Sequence, residues 1–148
     1  MSPQSHYIEA LGRQLHVTIW GEQHRETVVC WHGLARTGRD FDELAALLAQ
    51  RYRVLCPDTL GRGLSQWSPE PEQEYHLAFY AAQAAAVMDA VGAQQVHWVG
   101  TSMGGAIAMH GLCTGARSLQ GRIRKLVLND MGPELARAAV QRIKDYAG

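Results

Sequence analysis

Short apolar segments without polar alternation are the feature that most constrains the fold of this chain. They lie at Thr27–Trp31, Arg53–Cys56, Val96–Val99 and, in part, Lys125–Leu128. Strands of this kind are buried on both faces, as in a parallel sheet that helices cover on both sides. The pattern therefore predicts an α/β domain, a mostly parallel sheet flanked by helices.

The remaining segments fit this alternation of strands and helices. Gln14–Trp20 is predicted to be a further strand, and apolar stripes with 3.6-residue spacing predict helices through Phe41–Leu48 and Leu77–Met88. A segment rich in Gly, Ser and Pro, Asp58–Pro71, reads as a long loop. The chain of 148 residues fits one domain.

Composition excludes several classes of protein. Lys and Arg (14) balance Asp and Glu (14), whereas nucleic-acid-binding proteins carry a basic surplus. No apolar run approaches the roughly 18 residues of a membrane helix, and residues 1–6 lack the features of a secretory signal. We expect the three cysteines, Cys30, Cys56 and Cys113, to be buried free thiols in a reducing compartment, and therefore a cytoplasmic protein.

The sequence Gly100–Gly104 is a G-x-S-x-G motif between a predicted strand and a predicted helix. A sharp turn there strains Ser102 and projects its Oγ from the end of the sheet, which is the context that makes a nucleophile. The Met103 amide would lie at the start of the helix, where unpaired amides and the helix dipole favour negative charge. The alternative is an incidental Gly-Ser turn.

Two further segments agree with this interpretation. Trp31–Leu34 ends an apolar strand, and its glycine permits a loop that aims the Leu34 amide at the same site as a second oxyanion donor. Pro57–Ser65 follows the next strand and contains two glycines. We interpret it as structural, with Asp58 and Ser65 bonding loop amides.

The three motifs, which together span Trp31–Gly105, resemble the α/β-hydrolase fold family in content and order. That family includes esterases, lactonases, C–C bond hydrolases, haloalkane dehalogenases and epoxide hydrolases. Dehalogenases and epoxide hydrolases carry Asp as nucleophile, so Ser102 implies acyl transfer to water from an ester, lactone, thioester or activated ketone. Cofactor-free haloperoxidases share the serine. The resemblance implies no metal and no organic cofactor.

The base that should activate the serine is the missing part of this pattern. In this fold the acid and then the histidine follow the nucleophile. The one histidine after Ser102 is His110, eight residues along the same helix. It would lie about 12 Å along the axis, far beyond the roughly 3 Å that a base needs. His32 ends near the nucleophile and is a candidate substitute, although the family uses that position to shape the oxyanion loop.

Asp130 follows the strand after the nucleophile helix, where some family members place the triad acid; it could instead cap a helix starting at Pro133. The other histidines do not suit the role of base. His97 reads as a packed strand residue, and four read as surface or capping residues, namely His6, His16, His24 and His76. Candidate substrate-binding residues are His32, Gly33, Trp67 and Met131.

Family members are commonly about twice this length, with further strands, a cap and a late histidine. We therefore expect residues 1–132 to be the N-terminal part of the hydrolase core and residues 133–148 to begin a cap helix. The expected partners are a small acyl substrate and either a C-terminal complement or a second copy at the incomplete sheet edge, which should be apolar.

Two other functions remain open. A hydrolase scaffold without its base can bind a ligand and not turn it over. A nucleotide-binding α/β domain could cradle phosphates at Gly100–Gly105, but Gly-Thr-Ser-Met-Gly-Gly matches neither the dinucleotide motif nor the P-loop. Our interpretation is a serine hydrolase domain that acts through an acyl-enzyme.

Overall fold

The computed structural model describes residues 2–113, 118–130, 137–138, 141–142 and 145. Within them, six strands form one sheet: β1 (Gln4–Ala10), β2 (Arg13–Trp20), β3 (Thr27–Trp31), β4 (Arg53–Pro57), β5 (Val96–Thr101) and β6 (Ile123–Asn129). Four α-helices connect them: α1 (Asp42–Leu48), α2 (Pro71–Glu74), α3 (Leu77–Ala90) and α4 (Met103–Cys113). A 3-10 turn, Gly38–Phe41, precedes α1.

The strands lie in the order β1-β2-β4-β3-β5-β6. The last four of these pair in parallel, whereas β1 and β2 run antiparallel at one edge. The mostly parallel sheet is therefore confirmed. The pattern did not predict β1, because Ser5, Tyr7 and Glu9 face solvent from this edge strand and interrupt any apolar run.

Two hydrophobic cores lie on opposite faces of the sheet. Alternate residues of β3 point to opposite sides, so Val28 and Cys30 belong to one core and Val29 and Trp31 to the other. The first core lies beneath α1 and contains Phe41. The second lies beneath α3 and α4. Burial on both faces explains why β3 has no polar alternation.

The cysteines follow the prediction in part. Cys30 and Cys56 are buried and free, as expected, but Cys113 is exposed at the last residue of α4, so its predicted burial is wrong. In the part of the chain that the structure describes, no helix combines the length and apolarity of a membrane span. The predicted boundary between residues 132 and 133 lies outside the described residues, and so does Met131.

Candidate active site

Ser102 occupies a strained turn between β5 and α4. Its φ is +50°, in the left-handed region that residues with a Cβ rarely adopt. Its amide donates to the Asn129 carbonyl at 3.0 Å, and its carbonyl accepts from the amides of Gly105 (2.9 Å) and Ala106 (3.1 Å). These bonds hold the strained conformation that the G-x-S-x-G motif predicts.

The glycines of the motif allow this turn to pack against β3. A Cβ on Gly104 would overlap the Trp31 carbonyl, and one on Gly100 would lie 2.5 Å from the Gly105 amide nitrogen. The Trp98 indole stacks on that of Trp31, with ring centroids 5.5 Å apart, and donates to the Gly104 carbonyl at 3.0 Å. The start of α4 is therefore fixed against the middle of the sheet.

The loop after β3 lies against the strained serine. A Cβ on Gly33 would be 3.7 Å from the Cβ of Ser102, and Leu34, which follows Gly33, is 37% exposed. Met103 is the first residue of α4, where amides lack intrahelical partners. The structure thus brings Ser102, Gly33 and the start of α4 together at one end of the sheet.

His32 lies behind this loop and holds it in place. The ring is fully buried, and its Nε2 accepts the Thr59 N–H at 2.9 Å, so the proton resides on Nδ1, which donates to the Gly33 carbonyl at 2.6 Å. Burial lowers the pKa of His32 and keeps the ring neutral. Both nitrogens are engaged, and this geometry favours the loop-shaping role over that of a base or a substrate contact.

Arg62 is a second anchor of the same loop, and its role was not predicted from the sequence. Its Nε donates to the Leu34 carbonyl at 3.1 Å, while Nη1 donates to the Leu60 carbonyl and the Tyr80 hydroxyl, each at 2.9 Å. The guanidinium also lies over the rings of Tyr75 and Tyr80. The available signal was an arginine between two glycines, in a segment that we interpreted only as a structural loop.

The remainder of that segment has the structural role that the sequence predicted. The carboxylate of Asp58 accepts the amides of Gly38 (2.8 Å) and Leu64 (3.0 Å). The Ser65 hydroxyl accepts the His16 amide at 2.8 Å. The loop is therefore tied both to the segment after β3 and to β2.

Asp130 lies beside the serine in the strand register. Thr101 pairs with Asn129 across β5 and β6, so the next residues, Ser102 and Asp130, are neighbours at the carboxyl ends of these strands. Asp130 is exposed, and its φ of +54° is also left-handed. Its assignment as the triad acid remains a prediction. Trp67, a candidate for substrate binding, lies on the loop between β4 and α2 and is 76% exposed.

The upstream histidines contact other partners. His16 was predicted to be a surface or capping residue, which is wrong: it is 4% exposed, because its ring packs against the Tyr7 ring and contacts the Asp58 carboxylate. His76 caps α3 as predicted and accepts the Phe79 amide at 3.2 Å. The remaining contacts are His6 with Glu22, His24 with the Ala49 carbonyl and His97 with Glu26.

In the segments that the structure describes, no three His, Cys, Asp or Glu side chains form a metal site.

Comparison with known proteins agrees with this geometry. Residues 26–148 match the family described as alpha/beta hydrolase fold. The chain is 45% identical over 130 residues to a 3-hydroxybutyrate-oligomer hydrolase of Cupriavidus necator, covering 87% of the chain and 43% of that protein. It is 32% identical over 125 residues to a pimeloyl-[acyl-carrier protein] methyl ester esterase of Xanthomonas campestris, covering 84% of the chain and 44% of that protein.

A solved structure is similar over nearly the whole chain. The crystal structure of an alpha/beta hydrolase from Novosphingobium aromaticivorans superposes with a TM-score of 0.85 at 34% identity, covering 97% of this chain and 50% of that one. The chain thus spans about half the length of the relatives that it matches. Because the match extends over residues 26–148 and the described strands and strained serine fit it, the chain belongs to the α/β-hydrolase fold family.

Proposed function

We propose that Ser102 is the nucleophile of a serine hydrolase that cleaves esters through an acyl-enzyme. The observation that carries this proposal is the strained Ser102, at φ +50°, between the start of α4 and Gly33. Its Oγ would attack the acyl carbon, and the amides of Leu34 and Met103 would hold the oxyanion. Water would then release the acid from the serine ester.

The substrate class that we propose is short esters of 3-hydroxy acids. It is supported by 45% identity, over 87% of this chain, to a relative named for hydrolysis of 3-hydroxybutyrate oligomers. Such oligomers join a hydroxyl to a carboxyl through an ordinary ester, which suits a serine nucleophile with an oxyanion hole. The free, buried Cys30 and Cys56 support a reducing compartment, and we propose the cytoplasm.

The proposed base is a histidine outside this sequence, which Asp130 or another acid would orient. This proposal is supported by the two histidines that were considered for the role of base. Both ring nitrogens of His32 are already engaged in hydrogen bonds, and His110 lies further along α4 than a base for Ser102 would. The segment carrying that base, or a second copy of this chain, would cover the edge strand β6. There Val127 is 54% exposed, on a face whose neighbours Lys125 and Asn129 are also exposed.

Hydrolysis of the linear dimer of 3-hydroxybutyrate tests the nucleophile and the base together. The chain would be assayed with and without added imidazole, which can replace a missing histidine as a general base. We expect imidazole to accelerate release of 3-hydroxybutyrate, and Ser102→Ala to abolish the accelerated release. Hydrolysis that Ser102→Ala leaves unchanged would overturn the assignment of the nucleophile.

The second candidate function is ligand binding without turnover. It is favoured by the engagement of His32, because a serine without a base is a weak nucleophile. Saturable binding of the dimer, measured by calorimetry and unaccompanied by hydrolysis even with imidazole, would support this function over the enzyme.

A further inference from the structure

A second serine lies in a Ser–His–Asp arrangement away from Ser102, at the edge of the sheet that the antiparallel strands β1 and β2 form. In the register of β1 and β2, Tyr7 is opposite His16 and Ser5 is opposite Thr18, so Ser5 is diagonal to His16 on the same face. Asp58 follows β4 and donates its amide to the His16 carbonyl at 2.8 Å. Three adjacent strands therefore place Ser5, His16 and Asp58 in one row.

The three side chains form a continuous hydrogen-bonded array. His16 Nδ1 lies 3.0 Å from Asp58 Oδ2, and His16 Nε2 lies 2.6 Å from Ser5 Oγ. Each oxygen of the Asp58 carboxyl group already accepts a backbone amide, so both act as acceptors here and His16 Nδ1 is the donor. Nε2 is then free to accept the Ser5 hydroxyl. This is the connectivity by which serine, histidine and aspartate act together in acyl transfer.

Two members of the array are buried, and the third is accessible to solvent. Asp58 is 2% exposed and His16 is 4% exposed, and the Tyr7 ring lies against the imidazole with centroids 5.3 Å apart. Ser5, by contrast, is exposed. All three members line a cavity of about 530 Å³, which Arg39 also lines. That volume is in the range of pockets that take small molecules.

We propose that Ser5 is a second activated serine, independent of Ser102, that small activated esters acylate. A bond forms between Ser5 Oγ and the acyl carbon while the hydroxyl proton passes to His16 Nε2. Asp58 stabilises the resulting imidazolium. The bond from the acyl carbon to the leaving oxygen then breaks, and that oxygen takes the proton from His16.

Labelling of the Ser102→Ala variant with a fluorophosphonate probe tests this proposal. The variant lacks the Ser102 hydroxyl, so the result does not depend on the function proposed for Ser102. Ser5 Oγ would bond to phosphorus, fluoride would leave, and His16 would take the proton. We expect peptide mass spectrometry to find the label on Ser5. His16→Gln should slow labelling by about 100-fold, at the lower end of the range for general base catalysis. Ser2→Ala, which removes another exposed serine, should leave the rate unchanged.

Selectivity for Ser5 provides a measurement that does not depend on the folding of any His16 variant. In the folded Ser102→Ala protein Ser5 should react much faster than Ser2, and unfolding in urea should make the two rates equal because it separates the array. Equal labelling of Ser5 and Ser2 in the folded protein would overturn the proposal. An unchanged Ser5 rate in a folded His16→Gln variant would overturn it as well.

Discussion

The Nδ1–H of His32 donates a 2.6 Å hydrogen bond to the carbonyl oxygen of Gly33. That carbonyl belongs to the same planar peptide as the Leu34 amide, and in a trans peptide the two groups point in opposite directions. By holding the carbonyl, His32 fixes where the amide points. The buried histidine is thus a positioning residue for the proposed oxyanion hole.

Two replacements of His32 separate its two hydrogen bonds. The Asn amide in His32→Asn can reproduce the donor to Gly33, whereas the Gln amide in His32→Gln can reproduce the acceptor for Thr59. With imidazole present, we expect His32→Gln to slow fluorophosphonate labelling of Ser102 about tenfold more than His32→Asn does. This is less than the roughly 10²–10³-fold loss of rate on removing an oxyanion donor, because the Leu34 amide is misplaced and not removed. Equal rates in the two variants would show that the Gly33 bond does not position the amide.

The burial of His32 also predicts a dependence of stability on pH. Because the native pKa lies below the ordinary value of 6.5, the unfolded chain takes up this proton first as the pH falls. The free energy of unfolding should therefore decrease below about pH 6.5, until the native ring is protonated too. Above about pH 6.5 the His32 ring is neutral in both the folded and the unfolded chain, so its contribution to the free energy of unfolding is constant.

Urea unfolding of the wild type and His32→Gln at pH 7 and pH 5 measures this contribution. The variant has no titrating group at this position, so only the wild type loses this contribution as the pH falls. The difference in the free energy of unfolding between the two proteins should therefore be smaller at pH 5 than at pH 7. A difference that stays constant would mean that burial of His32 does not oppose its protonation.

The left-handed conformation of Ser102 predicts a conflict between stability and reactivity. Glycine adopts a φ of +50° without strain, whereas a residue with a Cβ loses about 1–2 kcal/mol there. We expect Ser102→Gly to raise the thermal unfolding temperature and Ser102→Ala to leave it nearly unchanged, while both abolish labelling at position 102. A Ser102→Gly protein no more stable than Ser102→Ala would argue against strain in the turn.

Gly104 should resist replacement although it lies in a helix. Ala is normally favoured over Gly in a helix interior by about 1 kcal/mol. Here the added Cβ would overlap the Trp31 carbonyl, so Gly104→Ala should destabilise the protein by about 1–3 kcal/mol. Gly92→Ala is the comparison. Its Cβ would meet nothing within 4 Å, so the only expected cost is the backbone strain of a φ of +71°. Urea unfolding should rank Gly104→Ala as the more damaging change.

The edge strand β6 predicts association of the isolated chain. Val127 is 54% exposed there, and an edge strand can pair with another chain. We expect sedimentation to show concentration-dependent dimers, and Val127→Lys to dissociate them. Leu47→Lys alters another exposed apolar residue, on α1, and should leave association unchanged. A wild-type chain that stays monomeric at high concentration would contradict the proposed edge contact.

Much of the site could be predicted because its signals are local. Gly100 and Gly104 flank a serine between an apolar strand and a helix, and the strain at Ser102 follows from that short segment alone. The two glycines beside Arg62 were a local signal, but its contacts could not be predicted, because its partners Leu34 and Tyr80 are 28 and 18 residues away. His16 was misjudged for a related reason, since its partner Asp58 is 42 residues away and meets it only in the folded protein.

The sequence by itself determined the alternation of strands and helices and the position of the strained turn at Ser102, because hydrophobic period and glycine placement act over a few residues. Only the tertiary structure decided that Ser5, His16 and Asp58 form one array, and that β1 and β2 run antiparallel at the edge. Such contacts depend on the register between strands distant in sequence, and the packing of the whole sheet sets that register.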